Sequence, residues 1–441
     1  MDISGRNRIV LAAAIGNIVE WYDFGLYGLL APVLASLFFP SHDRIAALLG
    51  VYGGFAVGFA MRPIGAIVLG RVGDRRGRPF VLVLSVVLMG VATVAIGVLP
   101  SYAAIGIWAT LLLIVIRLFQ GFSVGGEFVG SVTYLVESAA DNRRGIAGSV
   151  ANIGATVGML MAAGAATVTQ TYAAELPELW RAPFLFGGLL AFAGYLLRRH
   201  LPAEELDDAA AQEQCPPTES QPPPQHIRAR AARLIARWPA LQAFRESPRL
   251  MITALLFTSG YGICNYVVMV FLPTFGREFA NIKEDKALQI NTAGQALALV
   301  VVPLAGWFSD RWLSRRTMLA LAFLAEAGLA WELFHVVITA GATGLWFAQM
   351  VFAGLLAMVM GTAPAMLAEQ FPHGYRVSGH AFVLNVGIGI AGGTAPMVAV
   401  ALVAAMGSKM APAIYLLFAC LISSVAVLLL RDRSRECIDA K

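Results

Sequence analysis

The chain has 441 residues, of which 58% are hydrophobic and 13% charged, with a mean hydropathy of +0.71. That is too apolar for a soluble domain of this length and places the protein in a membrane. The net charge of +5 then reads as loop charge and not as a nucleic-acid face. The four cysteines, Cys215, Cys264, Cys420 and Cys437, are far apart in sequence and offer neither a disulfide framework nor metal-ligand spacing.

Crossing hydrocarbon takes about 20 residues of helix. Twelve apolar runs of that kind, here called spans 1 to 12, follow in order: 9–38, 46–70, 80–99, 104–137, 146–171, 181–199, 249–279, 288–310, 316–339, 343–369, 376–405 and 410–430. The first carries Glu20 and Asp23 and lacks a small-residue cleavage site, so it is predicted to stay as span 1. Residues 200–247 differ, being acidic and Pro-rich up to Pro224, then basic with Arg228, Arg230, Arg233, Arg237 and Arg245 around Trp238. They predict a linker ending in an amphipathic surface segment, between a six-span half at 1–199 and another at 248–441. Most basic residues fall in alternate loops, such as Arg71, Arg75 and Arg76 after span 2 and Arg143 and Arg144 after span 4. The positive-inside rule then puts both termini in the cytoplasm of a multi-pass membrane protein.

Two patterns recur across the linker, the mark of an internal duplication. The turn after span 2 reads GRVGDRRGR, with Gly70, Asp74, Arg75 and Arg78, and the turn after span 8 reads GWFSDRWLSRR, with Gly306, Asp310, Arg311 and Arg315. Span 4 ends in Glu137 followed seven residues on by Arg144, and span 10 in Glu369 followed seven on by Arg376.

At these residues the chain resembles the major facilitator superfamily, whose loop between spans 2 and 3 carries a Gly-x-x-x-Asp-Arg-x-Gly-Arg signature continued here by Arg76, Gly77 and Arg78. GNIVEWYDFGLYG (16–28), RPIGAIVLG (62–70), RLFQGFSVGGE (117–127) and RRG (143–145) resemble, more narrowly, its metabolite/proton symporter branch of proline/betaine, citrate, 2-oxoglutarate and shikimate carriers. GSVANIGATVGML (148–160) and LNVGIGIAGGTAPMVA (384–399) look nearest the proline/betaine-like members. The resemblance implies an all-α fold of twelve spans in two pseudo-symmetric six-helix bundles. Departures from the branch's usual pattern are Val150, LWRAPF at 179–184, and Glu326, Glu332 and His335 in span 9.

An ionisable side chain deep in a span costs roughly 3 kcal/mol on insertion scales unless a cavity or a partner solvates it, so each one marks a candidate site. Glu20 and Asp23 lie at i and i+3, about 60° apart on one helical face, near Asn17, Trp21 and Tyr27. Burial and mutual repulsion both favour a shared proton there, and an Asp23–Arg62 bridge serving assembly is the alternative. On span 4, Arg117, Gln120, Glu127, Ser131 and Tyr134 form one polar stripe. Arg117 suits a carboxylate and Glu127 a proton or a cationic group, the alternative being an Arg117–acid bridge that locks span 4 to span 1. Ser149, Asn152, Thr156 and Met159 line one side of span 5; Thr258, Tyr261, Asn265 and Met269 line one side of span 7. Trp21, Tyr261 and Tyr266 are positioned to hold a quaternary ammonium by cation–π attraction. Asn385 on span 11 is a further candidate, and polar glue between helices is the other reading of each of these residues.

Asp74, Arg78, Glu137, Arg144, Asp310, Arg311, Glu369 and Arg376 lie at the loop ends of spans and read as a latch, with Asp74 and Asp310 facing helix N-termini in the opposite half, and Arg62 of span 2 is counted with them as a gating residue. The expectation is proton-coupled symport of a small zwitterion such as proline or betaine, or of an organic acid such as citrate or 2-oxoglutarate. Glu20, Asp23 and Glu127 would carry the proton. No cofactor, metal or nucleic acid is expected, and the partners are the solute and the bilayer, with the chain a monomer. An exporter on the same fold and a non-transporting sensor are the alternatives. No nucleophile–base set or phosphate loop supports an enzyme.

Overall fold

Apolar runs in lipid have no water to bond their amides and must close those bonds internally, which leaves the helix as the open choice. In the computed structural model, which describes residues 3–76, 78–124, 132, 133, 135–137, 139, 140, 142–199, 239–371 and 376–434, every described element is a helix. Span 1 is Ile3–Leu29 and then, past a bend of 64°, Ala31–Phe38. Pro32 sits in the first turn of the second piece, where its missing N–H is harmless to the new helix and fatal to continuing the old one. Span 2 is Arg44–Ala60 with Arg62–Arg76, started by the Asp43 carboxylate, which accepts from the Ile45 N–H at 2.8 Å. It continues past the predicted end at residue 70. Spans 3, 5 and 6 are Arg78–Val98, Arg144–Thr171 and Arg181–Arg199, and span 4 is described over Ile107–Ser123.

The predicted linker lies outside the described residues up to 238, and its last part, Pro239–Glu246, is a helix. Span 7 runs Pro248–Tyr266, opens into a π-helix at Val267–Phe271 and resumes over Leu272–Ala280. Span 8 is Glu284–Arg311. Spans 9 and 10 form one run, Arg315–Gln370, broken at Gly341 (φ 58°, ψ −131°), a conformation open to glycine and strained for other residues. Span 11 is Arg376–Leu384, a second π-helix at Asn385–Gly392, and Gly393–Met406; span 12 is Ala411–Leu429. Among the described residues, eight helices are each long and apolar enough to cross a bilayer. The bent pair of span 1, the shorter apolar helices of spans 4 and 6 and the break at Gly341 account for the rest of the twelve.

Within the first bundle span 1 packs on span 5 and span 3 on span 6; within the second, span 7 packs on spans 11 and 12 and span 9 on span 12. The bundles meet where span 5 crosses spans 8 and 10 and where span 2 crosses span 11. Side chains such as Val91, Trp108, Phe192 and Leu429 are exposed, as faces turned to lipid require. At the end bearing the loop signatures spans 5 and 8 touch backbone to backbone: a Cβ on Gly306 would stand 2.7 Å from the Gly145 carbonyl, and one on Gly145 would stand 2.5 Å from that of Gly306. The glycine of the signature's second copy, Gly306, is therefore a point of backbone contact between the bundles.

Candidate functional site: a cavity between the bundles

Where spans 1, 2, 4, 5, 7, 8, 10 and 11 converge they line a cavity between the bundles. Of the residues picked from sequence, Glu20, Trp21, Arg62, Asn152, Thr156, Tyr261, Asn265 and Asn385 line it. Glu20 Oε1 accepts from Arg62 Nη2 at 2.7 Å, and both residues are buried. The Arg62 guanidinium lies 4.5 Å from the ring centres of both Phe24 and Phe59, and its Nε has no hydrogen-bond partner among the described residues. A charge pair held this way is strongly oriented yet incompletely satisfied. Trp21 stacks on Tyr266 (6.4 Å, 17°), and the indole N–H and the Tyr266 hydroxyl are likewise unpartnered. Asn152 donates to the Met360 carbonyl at 2.5 Å, tying span 5 to span 10 across the cavity.

Asp23, Tyr27, Arg117 and Gln120 do not line the cavity but form a closed cluster behind it. Arg117 Nη1 lies 3.2 Å from Asp23 Oδ2 and donates to Gln120 Oε1 at 2.7 Å. Gln120 Nε2 donates to Asp23 Oδ1 at 2.7 Å, and the Thr93 hydroxyl donates to the same oxygen at 2.6 Å. The Tyr27 ring lies 4.1 Å from the guanidinium. Arg117 and Gln120 are completely buried, so the carboxylate is solvated by protein donors in place of water. The alternative bridge from Asp23 to Arg62 is not what forms: Asp23 takes Arg117, and Arg62 takes Glu20. Glu127, Ser131 and Tyr134 lie outside the described residues.

At the loop-signature end polar contacts tie the two bundles together. The Asp310 carboxylate accepts from the backbone N–H groups of Gly145 (2.7 Å) and Ile146 (3.0 Å), at the N-terminus of span 5 in the opposite bundle. Arg315 bridges Asp310 (2.8 Å) and Glu369, and Arg144 reaches Glu369 at 3.5 Å. Arg315 carries this network although the sequence reading placed it in the signature only. Arg311, expected in the latch, is exposed and lies 5.2 Å from the centre of the Trp307 ring. Glu137 is half-buried, and the side chains of Asp74, Arg78 and Arg376 lie outside the described residues. The opposite end has its own ties, unforeseen from sequence: Arg44 to Glu278 at 2.8 Å, Tyr52 to Thr274 at 2.9 Å and Thr167 to Thr292 at 3.0 Å.

Two other residues went unnoticed in sequence. Gln295 and the completely buried His380 line the cavity, and Gln295 Nε2 and both ring nitrogens of His380 lack partners among the described residues. An isolated glutamine or histidine in a span carries no periodic signal. Span 9 resolves as well: Glu326 is completely buried whereas Glu332 and His335 are exposed.

A central cavity between two helical bundles, with polar ties between them at each end, is the architecture of a membrane transporter. The chain belongs to the Major Facilitator Superfamily, whose profile matches residues 13–378. It is 30% identical to the shikimate transporter of Escherichia coli (strain K12), across 99% of this chain and 97% of that protein. It is also 30% identical to the proline/betaine transporter of Salmonella typhimurium (99% and 85%) and 31% to the ectoine/proline transporter of Corynebacterium glutamicum (97% and 84%). The crystal structure of a D-xylose-proton symporter superposes with a TM-score of 0.72 at 17% identity, covering 96% of this chain and 97% of that one. The protein is thus a multi-pass transporter of the bacterial inner membrane.

Proposed function

We propose that the chain is a monomeric, proton-driven importer of a small zwitterion of the proline or betaine kind, with both termini cytoplasmic and the two halves joined by residues 200–247. The observation that carries this reading is the Glu20–Arg62 pair at the cavity wall. A zwitterion presents the same two charges: its carboxylate takes Arg62, and its cationic centre takes Glu20 and the face of Trp21. Asn152, Asn265 and Asn385 supply neutral donors and acceptors that orient the solute. The Asp23 cluster takes the coupling proton, because protonating Asp23 dissolves the ion pair with Arg117 and frees span 4 from span 1. Glu20 and Glu127 are the other carboxylates of the coupling group. The latch around Asp310 and Glu369 shuts the cytoplasmic mouth in this state, and alternating access breaks it.

The test is uptake of labelled proline and glycine betaine into proteoliposomes under an imposed pH gradient. Gradient-dependent accumulation is expected, and accumulation that survives collapse of the gradient refutes the coupling. A second reading, transport of an organic acid, draws on Arg62, Gln295 Nε2 and His380 as hydrogen-bonding groups at the cavity and on the similarity to a shikimate carrier. Shikimate, citrate and 2-oxoglutarate in the same vesicles decide between the two.

A further inference from the structure

Span 9 holds a carboxylate that the transport mechanism leaves unused. Glu326 is completely buried at a depth where an acid must be solvated, paired or neutralised. Cys420 Sγ approaches its Oε2 at 3.5 Å, Cys264 Sγ lies 3.2 Å from Cys420 Sγ, and Glu326 Oε1 has no hydrogen-bond partner among the described residues. Both cysteines are free and completely buried. One donor atom from each of the three residues falls within 4.8 Å of the other two. In a tetrahedral site with metal–sulfur bonds of about 2.3 Å and metal–oxygen bonds of about 2.1 Å, neighbouring donors stand roughly 3.6–3.8 Å apart. The 3.5 Å sulfur–oxygen separation already matches that spacing, and the 3.2 Å sulfur–sulfur separation reaches it when the two thiols move apart by about 0.6 Å between them. Two sulfurs and one carboxylate oxygen select a soft or borderline cation over magnesium or calcium.

We propose that Cys264, Glu326 and Cys420 form a binding site for one divalent cation of the zinc or cadmium class, fastening spans 7, 9 and 12 together. None of the three lines the central cavity, so the site is separate from the solute's. Cys264 lies three residues before the π-helical turn at Val267 and next to the cavity residue Asn265, so a bound ion restrains the part of span 7 that faces the solute. As the ion binds, thiol and carboxyl protons leave for water, so affinity rises with pH.

The experiment uses the full chain carrying Cys215→Ser and Cys437→Ser, reduced, stripped with chelator and titrated with Cd²⁺. One tightly held ion per chain is expected, with a thiolate-to-cadmium ultraviolet band and a rise in melting temperature that chelator reverses. Glu326→Gln, nearly isosteric, weakens binding at least about tenfold. Adding Cys264→Ser and Cys420→Ser abolishes the band while gel filtration shows a folded protein. Three results overturn the proposal: no ion retained by the reduced protein, equal stoichiometry without the two buried thiols, or a Cys264–Cys420 disulfide that excludes the ion.

Discussion

Replacing Asp310 by asparagine isolates the latch. Its carboxylate accepts three hydrogen bonds, from Gly145 N–H, Ile146 N–H and Arg315 Nη2, and two of these cross from one bundle to the other at the positive end of span 5. Asn keeps the shape but removes the charge and turns one acceptor into a donor. A hydrogen bond to a charged group contributes about 1.5–3 kcal/mol, and a carboxylate at a helix N-terminus about 0.3–1 kcal/mol. Losing one bond to span 5 and the charge at its N-terminus lifts the latched state by about 3 kcal/mol relative to the unlatched one; the Arg315 contact lies within one bundle, is weakened in both states and drops out of the difference. At 1.4 kcal/mol per factor of ten, the balance moves about 100-fold toward the open mouth. Leu384 lines the cavity and is buried, so Leu384→Cys, in the Cys215→Ser and Cys437→Ser background, reports opening as a maleimide-labelling rate. Asp310→Asn is expected to raise that rate at least about tenfold. Gly306→Ala, whose new Cβ would meet the Gly145 carbonyl at 2.7 Å, acts in the same direction by sterics. Unchanged labelling in both well-folded variants would refute the latch.

Glu20→Gln strands Arg62 against two aromatic rings, and breaking a buried pair from one side costs about 3–5 kcal/mol. A lowered melting temperature is expected, with no stabilisation by glycine betaine in a thermal-shift assay; a wild-type response to the ligand counts against Glu20 as a cation site. At the opposite end, Arg44→Gln removes a pair whose arginine side chain is 36% exposed, so its effect on stability is under about 1 kcal/mol. A larger loss in a thermal melt would show that the Arg44–Glu278 tie holds more than its solvent exposure suggests.

What was legible in the sequence follows from what a pattern can encode. Apolar length marks spans whatever their partners, and the duplicated Gly-x-x-x-Asp-Arg turn pointed at Asp310 and a facing helix N-terminus because a helix end attracts anions wherever it lies. Partner choice was less readable. A helical wheel places Glu20 and Asp23 on one face but carries no information on depth, so it did not separate the acid on the cavity from the acid behind it. Arg315 lies five residues beyond Asp310 in the second copy of the signature, and only the turn into span 9 brings its fork back onto Asp310 and Glu369. Cys264 and Cys420 are 156 residues apart, a proximity that belongs to tertiary packing alone. The π-helices of spans 7 and 11 leave no compositional trace, since one extra residue per turn needs no special side chain.

Span 1 links the two charge pairs mechanically. Glu20 and Asp23 are separated by three residues, a rise of about 4.5 Å, and each is held by an arginine from a different helix, Arg62 of span 2 and Arg117 of span 4. On the proposed mechanism, a solute that captures Arg62 would loosen span 1 from span 2, and a proton on Asp23 would loosen it from span 4. Because both acids ride on one continuous helix, each event would then lower the cost of the next without contact between solute and proton. Linkage makes this reciprocal: the factor by which acid tightens solute binding equals the factor by which solute tightens proton binding. The measurement is glycine betaine affinity against pH. Wild type is expected to bind more tightly as pH falls, and Asp23→Asn, which keeps a hydrogen-bonding side chain but cannot titrate, to show affinity independent of pH. If the slope persists in Asp23→Asn, the proton resides on Glu20 or Glu127 and the Arg117 cluster is a structural tie.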